Sequence, residues 1–167
     1  MREWVRKIVH ALEAGTPAEL VAVTEASGST PRGAGALMAV FPGGRALGTI
    51  GGGSVEYEAQ RLAAELLERG SCALRSFRFV QGDAASLGMV CGGDVTVRFQ
   101  HLPAGDARII AVLRDLMEAS AGDLDTWLVL NIREDAAVMG TADRNGPRHL
   151  ETPPEDLPAL LQNRPAL

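Results

Sequence analysis

Gly48-Thr49-Ile50-Gly51-Gly52-Gly53-Ser54-Val55-Glu56 joins a strand-like segment directly to a strongly periodic helix, and that junction decides the fold class. Three adjacent glycines cost backbone entropy unless the chain needs positive φ or close backbone approach. Ahead of a helix they leave unpaired N–H groups and the positive end of the dipole facing a loop that no side chain crowds, which suits an anion such as phosphate. Downstream, Val55, Ala59, Leu62, Ala63, Leu66 and Leu67 form one apolar stripe, Glu56, Gln60, Arg61, Glu65, Glu68 and Arg69 take the other side, and Gly70 supplies the stop. Upstream, Ala36 to Phe41 and Arg45 to Ile50 flank Pro42-Gly43-Gly44, the composition of a β-hairpin.

The rest of the chain alternates the same two periods. Trp4, Val5, Ile8, Val9 and Leu12 predict a first helix from Arg2 to Ala14, ended by Gly15-Thr16-Pro17. Leu20 to Thr24 reads as a strand, followed by a turn-rich loop from Glu25 to Gly35. Ala73 to Val80 is strand-like and Gln81 to Gly93 a loop, after which Val95, Val97 and Phe99 alternate with Thr96, Arg98 and Gln100. Ile109, Ile110, Val112, Leu113, Leu116 and Met117 predict a third helix capped by Asp106. Trp127 to Ile132 and Ala137 to Thr141 suggest a second hairpin turning at Glu134-Asp135, Asn145-Gly146 another tight turn, and the tail from Pro153 a short helix with frayed residues. Strands that arrive in hairpins as well as around helices predict an α+β domain, with a mixed or antiparallel sheet and helices packed on it. The expected organisation is one domain: 1–104 as its main body, and 105–167 as a helix plus hairpin extension packed on it.

With 167 residues, 46% of them apolar, the chain can bury a real core. No run of about 18 uncharged apolar residues occurs and the N-terminus is amphipathic, so no membrane span and a cytoplasmic location are expected. A net charge of -5 without a Lys/Arg cluster argues against nucleic acid as a partner. Cys72 and Cys91 form no C-x-x-C pair and the three histidines are scattered, so a structural zinc site is not expected and free thiols are. His101, one step past the alternating strand, reads as a surface residue rather than a ligand.

Three stretches carry chemistry. In the first, Glu25-Ala26-Ser27-Gly28-Ser29-Thr30-Pro31-Arg32-Gly33-Ala34-Gly35, Ser29 and Thr30 offer hydroxyls and Arg32 a fork of donors for an oxyanion, while the plain alternative is a long turn with Arg32 in solvent. In the second, Gly51, Gly52, Gly53 and Ser54 lack the order of a dinucleotide fingerprint or a P-loop. There Ser54 could simply cap the helix and Glu56 simply sit in its first turn, which would not explain three glycines in a row. In the third, Leu87-Gly88-Met89-Val90-Cys91-Gly92-Gly93, a thiol followed by two glycines is sterically open to a soft metal or a sulfur-bearing ligand, where the plain alternative is a small buried hydrophobe.

Together, in this order and spacing, the three stretches resemble the XdhC/CoxI family, whose amino-terminal domain carries G-S-[TA]-P-R-x-x-G, G-[ST]-[IV]-x-G-G-x-x-E and C-G-G motifs. Here these are Gly28 to Gly35, Gly48 to Glu56 and Cys91 to Gly93, and the resemblance covers about residues 3 to 102. Family members commonly continue into a Rossmann-like carboxy-terminal domain, so the likeness is to the amino-terminal domain only. It implies an accessory protein that binds molybdenum cofactor, as molybdopterin or its dinucleotide form, and hands it to a xanthine dehydrogenase-type hydroxylase. A cofactor chaperone is thus implied rather than a turnover enzyme, with the client apoenzyme, a cysteine desulfurase and a second copy of the chain as partners. On this expectation the phosphate sits at Gly51 to Ser54 with Glu56 beside it, Ser29, Thr30 and Arg32 hold polar edges, and Cys91, Gly92 and Gly93 lie near the metal, with Cys91 toward the molybdenum. Two other classes stay open: an enzyme using the Cys91 thiol for sulfur transfer or acting on a phosphate ligand, and a non-catalytic subunit that docks a partner.

Overall fold

The computed structural model describes residues 1–28, 30–79, 93–119, 126–130, 139–150 and 157. Three helices, α1 (Arg2–Glu13), α2 (Gly53–Arg69) and α3 (Ala107–Ala119), accompany eight strands among the described residues. The strands are β1 (Ala18–Gly28), β2 (Leu37–Val40), β3 (Ala46–Gly48), β4 (Ala73–Phe79), β5 (Gly93–Leu102), β6 (Thr126–Leu130), β7 (Met139–Asp143) and β8 (Gly146–Pro147). The first five form one sheet in the order β3-β2-β1-β5-β4, and β6-β7-β8 form a second. Every pairing among the described residues is antiparallel, which narrows the expected mixed or antiparallel sheet to the latter.

The large sheet is covered on both faces, and the two-residue period of its strands decides which residues go where. Leu20, Ala39 and Leu102 join α1 (Val5, Ile8, Leu12) and α3 (Ile109, Leu113, Leu116) in one apolar cluster. Val21, Val23, Val97 and Phe99 turn the other way and pack on α2 through Val55, Ala59, Ala63 and Leu66. Helix α1 runs as its spacing predicts, and Asp106 caps α3 through Oδ1, which accepts from the backbone N–H groups of Arg108 and Ile109 at 2.9 and 3.2 Å. Asp115 of α3 ties down the second sheet, accepting a hydrogen bond from Thr141 of β7 at 2.6 Å and pairing with Arg148.

Several expectations are corrected. Strand β1 does not stop at Thr24: after a register shift between Val23 and Glu25 it continues to Gly28, with Glu25 opposite Thr96 and Gly28 opposite Gly93. Its Ser/Gly composition reads as a turn, but the ladder offered by β5 outweighs that local preference. The expected hairpin is present, β2 pairing antiparallel with β3, and the three residues between Phe41 and Arg45 form a short 3-10 turn, Pro42–Gly44. On β5 the polar alternants Arg98 and Gln100 are fully buried, because the sheet has helices on both sides. Among the described residues no helix is long and apolar enough to cross a membrane. The Glu134-Asp135 turn, the loop from Gln81 to Gly92 and the tail helix apart from Leu157 lie outside the described residues.

Candidate functional site

Antiparallel pairing carries three connections to one end of the large sheet. Gly28 ends β1 opposite Gly93, the first residue of β5, and Phe79 ends β4 opposite the same Gly93. On the other side of β1, Leu37 begins β2 opposite Ala22, and Gly48 ends β3 opposite Met38. The described residues that flank the three glycine-rich stretches, Gly28 and Leu37, Gly48, and Phe79 and Gly93, therefore lie toward the same end of the strands. Ser29, Cys91 and Gly92, with the proposed placement of Cys91 near a metal, lie outside the described residues.

Two of the stretches touch. A β-carbon built on Gly51 would stand 3.1 Å from Pro31 Cβ and 3.6 Å from the backbone nitrogen of Arg32. The first loop is held in place by Gly35, whose N–H donates to the Val23 carbonyl at 2.8 Å, and by Val23, whose N–H donates to Ala36 at 2.9 Å. Thr30 is half-buried and Arg32 exposed, so the guanidinium is presented rather than packed away. Gly48 enters the turn at φ +90°, and a β-carbon there would lie 2.6 Å from the Leu37 carbonyl oxygen and 2.8 Å from Trp4 Nε1.

The three glycines have a common explanation. Gly51, Gly52 and Gly53 take φ of +135°, +79° and +68°, values that side-chain-bearing residues rarely adopt. Gly52 is the N-cap of α2 with ψ -173°, a combination that is essentially glycine's alone, and nothing lies within 4 Å of where its β-carbon would be. Ser54 does not cap the helix: no side chain bonds the cap, and Ser54 is an exposed residue of the first turn.

Glu56 does more than sit in that turn. Its Oε2 accepts hydrogen bonds from the Ile50 N–H at 2.9 Å, from the Gly52 N–H at 3.0 Å and from the Thr49 hydroxyl, while Thr49 Oγ1 in turn accepts from the Gly51 N–H at 3.1 Å. Partial burial works against its ionisation, but the Thr49 hydroxyl and the backbone N–H groups outweigh it and hold the pKa below the ordinary 4.5. The N–H groups of Ile50, Gly51 and Gly52, which lead into the first helical residue Gly53, are thus engaged by the chain itself. The sequence carries the signal, a Glu four residues past the N-cap with a Thr seven before that Glu, but it reads as a dipole preference or a ligand contact and not as a bond to the turn's own backbone.

A second polar group lies at the far end of the sheet. Glu19 is fully buried, and its Oε2 stands 3.3 Å from His101 Nδ1, its register partner across the β1–β5 ladder. Burial pushes the Glu19 carboxyl up to about 9 against the opposing pull of Arg98, and Glu19 Oε1 has no hydrogen-bond partner. Expected at the surface, His101 has a side chain only 14% exposed, and burial lowers its pKa. Its backbone N–H donates to Cys72 Sγ at 3.4 Å, and Cys72 is a free thiol. Among the described residues no group of three or more His, Cys, Asp or Glu could hold a metal ion.

Residues 11–78 match the model of the XdhC and CoxI family. Over 116 residues the chain is 34% identical to the molybdenum cofactor insertion chaperone PaoD of Escherichia coli (strain K12), an alignment covering 69% of this chain and 36% of that protein. A crystal structure described as a xanthine dehydrogenase from Bacillus halodurans superposes with a TM-score of 0.66 at 16% identity, covering 90% of this chain and 46% of that one. At that identity the superposition speaks for the fold. The chain spans about a third of the curated relative's length and under half of the solved chain's.

Proposed function

In its N-terminal region the chain belongs to the XdhC and CoxI family, and from that membership we propose that it handles molybdenum cofactor as cargo, for insertion into a molybdenum hydroxylase apoenzyme. The observation that carries the reading is the contact between two of the glycine-rich loops, Pro31 against Gly51, toward the end of the sheet where Gly28 stands opposite Gly93.

The residues at that end suit such a cargo. Pterins are flat and polar-edged and carry phosphate, and here an exposed guanidinium (Arg32), two hydroxyls (Thr30 and Ser54) and an open glycine backbone (Gly52, Gly53) lie on neighbouring loops. Arg32 would pair with phosphate, the hydroxyls with ring or phosphate oxygens, and the side-chain-free glycines would admit the ring edge to the backbone. Gly93 opens β5 opposite Gly28, and the Cys91-Gly92 stretch next to it in sequence would meet the dithiolene end of the cargo. The cytoplasm, a cysteine desulfurase and self-association belong to the same reading as its expected setting and partners.

The test is to purify the protein from cells that make the cofactor and to measure bound molybdenum and the fluorescence of the oxidised pterin. Both should co-purify, or be taken up from added cofactor. A clean preparation that contains neither and takes up none refutes the proposal.

A further inference from the structure

Strand β4 closes the large sheet, with β5 on one side and, among the described residues, no strand on the other. Hydrogen bonds followed across the sheet show which of its backbone groups face outward. Val23 donates to Ala36 and accepts from Gly35 on the β2 side, so its neighbour Ala22 turns its own N–H and carbonyl toward β5. Ala22 is opposite Arg98, which leaves Val97 and Phe99 to bond toward β4, where their partners are Arg75 and Ala73. Leu74, Ser76 and Arg78 therefore direct their backbone groups away from the sheet. The Leu74 carbonyl agrees, since it accepts a hydrogen bond from the exposed Arg75 side chain at 2.8 Å. A row of outward N–H and carbonyl groups is a template for another strand.

The side chains decide which strand fits. Ala73–Phe79 carries two cations, Arg75 and Arg78, and no carboxylate; Ser76 is exposed, Leu74 and Phe77 half-buried. Edge cations block pairing with a copy when they face each other. In an antiparallel pair of β4 strands centred on Ser76 they do not. Arg75 falls opposite the partner's Phe77, Arg78 opposite the partner's Leu74, and Ser76 opposite the partner's Ser76. That register sets outward-facing residues against outward-facing residues, as a hydrogen-bonded ladder requires, and uses the whole strand. Arg75 and the partner's Phe77 then form the closer, non-hydrogen-bonded kind of pair, which brings a guanidinium to an aromatic ring. A centre at Arg75 would set that guanidinium against its own copy, and a centre at Phe77 would leave Ala73 and Leu74 without partners.

We propose that a second copy of this chain docks on β4, the two strands pairing antiparallel about Ser76 so that two five-stranded sheets become one continuous sheet with both α2 helices on the same face. The pairing sets Phe79 opposite the partner's Ala73. The free thiol of the partner's Cys72, next to Ala73 in sequence, is thereby brought to the end of the sheet where Gly28 stands opposite Gly93. The inference rests on the cofactor-cargo reading only for the meaning of that end, and it gives the self-association in that reading a surface and a register.

Sedimentation equilibrium of the full chain tests the pairing, for wild type, Ser76→Glu, Ser76→Lys and an equal mixture of the two variants, with cofactor uptake measured in parallel. Wild type is expected to be dimeric. Each variant sets a charge against the same charge at the twofold axis, so both should dimerise at least tenfold more weakly whatever the sign, and the mixture should recover the dimer as opposite charges meet. A strand that was merely damaged would not be rescued by mixing, and an acidic partner on this edge would gain from Ser76→Lys and lose from Ser76→Glu. Ser76→Cys, the mildest change, should close a disulfide between copies on gentle oxidation, mapped by mass spectrometry. A monomeric wild type, a dimer that neither charge weakens, a mixture that stays monomeric, or a folded Ser76→Cys that does not cross-link through that position overturns the inference. Cofactor uptake by a monomeric wild type leaves the cargo reading standing without the pairing, and a dimer that takes up none leaves the pairing standing without the cargo.

Discussion

Pro31 and Gly51 are packed so closely that a methyl group on the glycine would crowd the proline ring: a β-carbon on Gly51 would lie 3.1 Å from Pro31 Cβ, so the ring would have to give by a few tenths of an ångström. The contact joins the loop after β1 to the loop before α2, so the relative position of Arg32 and the glycine turn depends on a residue that has no side chain. Gly51→Ala therefore combines steric crowding with a φ of +135°, while Gly52→Ala meets open space and suffers from backbone strain alone. Both are expected to lose about 1–3 kcal/mol in denaturant unfolding, Gly51→Ala the more. Gly33, with neither a positive φ nor a neighbour within 4 Å, should tolerate alanine to within about 0.5 kcal/mol. A Gly33→Ala loss as large as that of Gly51→Ala would mean the loops are not held by this contact.

Thr49 and Glu56 make the turn sensitive to acid. The folded pKa of Glu56 is held below the 4.5 of the free side chain, so its contribution is fully present above that value and disappears as pH falls through the folded pKa. Removing the Thr49 hydroxyl leaves the carboxylate with backbone donors only, and its pKa should rise toward the ordinary value. Thr49→Val is expected to begin losing structure at higher pH than wild type, with a loss of about 1–2 kcal/mol at neutral pH. An NMR titration of the Glu56 carboxyl carbon gives the shift directly; an identical midpoint in wild type and variant rules the coupling out.

What could be read in the sequence followed from period, and what could not depended on partners distant in the chain. The stripe from Val55 to Leu67 and the alternation from Val95 to Phe99 each repeat their signal several times, so helix α2 and strand β5 were evident. Glu25 to Gly28 were not, because their composition is that of a turn and only pairing with residues far along the chain, such as Glu25 with Thr96, makes them strand. Glu19 sits between Ala18 and Leu20 with nothing local to mark it as buried, and Arg98 and Gln100 would face water in a sheet covered on one side. At the candidate site the glycines announced an unusual backbone, but the carboxylate that fills the turn could be found only by asking where the N–H groups of Ile50 and Gly52 go.

Glu19 gives the fold an alkaline limb. Its folded pKa of about 9 lies above the 4.5 of the free side chain, so between those values the native state keeps a proton that the unfolded chain has released. Stability from this group is complete below about 4.5 and falls by about 1.4 kcal/mol per pH unit until the folded pKa is passed. His101 acts in the reverse sense: burial depresses its pKa below 6.5, so it favours the folded state above that value and costs stability as pH falls below it. Glu19→Gln keeps the shape and removes the ionisation, so it should gain on wild type steadily as pH is raised from about 5 to about 9. Parallel stability curves for the two proteins across that range would show that the carboxyl is not held neutral in the native state.

Arg32 offers the most direct separation of binding from folding. Its side chain is exposed and the loop that carries it is fixed by backbone bonds of Gly35 and Val23, so Arg32→Ala removes the guanidinium without opening a cavity or stranding a buried partner. Thermal unfolding should be unchanged within about 0.5 kcal/mol, as for other surface substitutions. Uptake of phosphate-bearing cofactor should fall by at least tenfold, since a charge-assisted contact to phosphate is lost, while binding of a phosphate-free pterin should change by less than threefold. Arg32→Lys is expected to recover only part of the loss, because an ammonium restores the charge and not the two-pronged geometry. Equal uptake by wild type and Arg32→Ala, both folded, would remove Arg32 from the phosphate side of the site and leave the convergence of the loops without its cation.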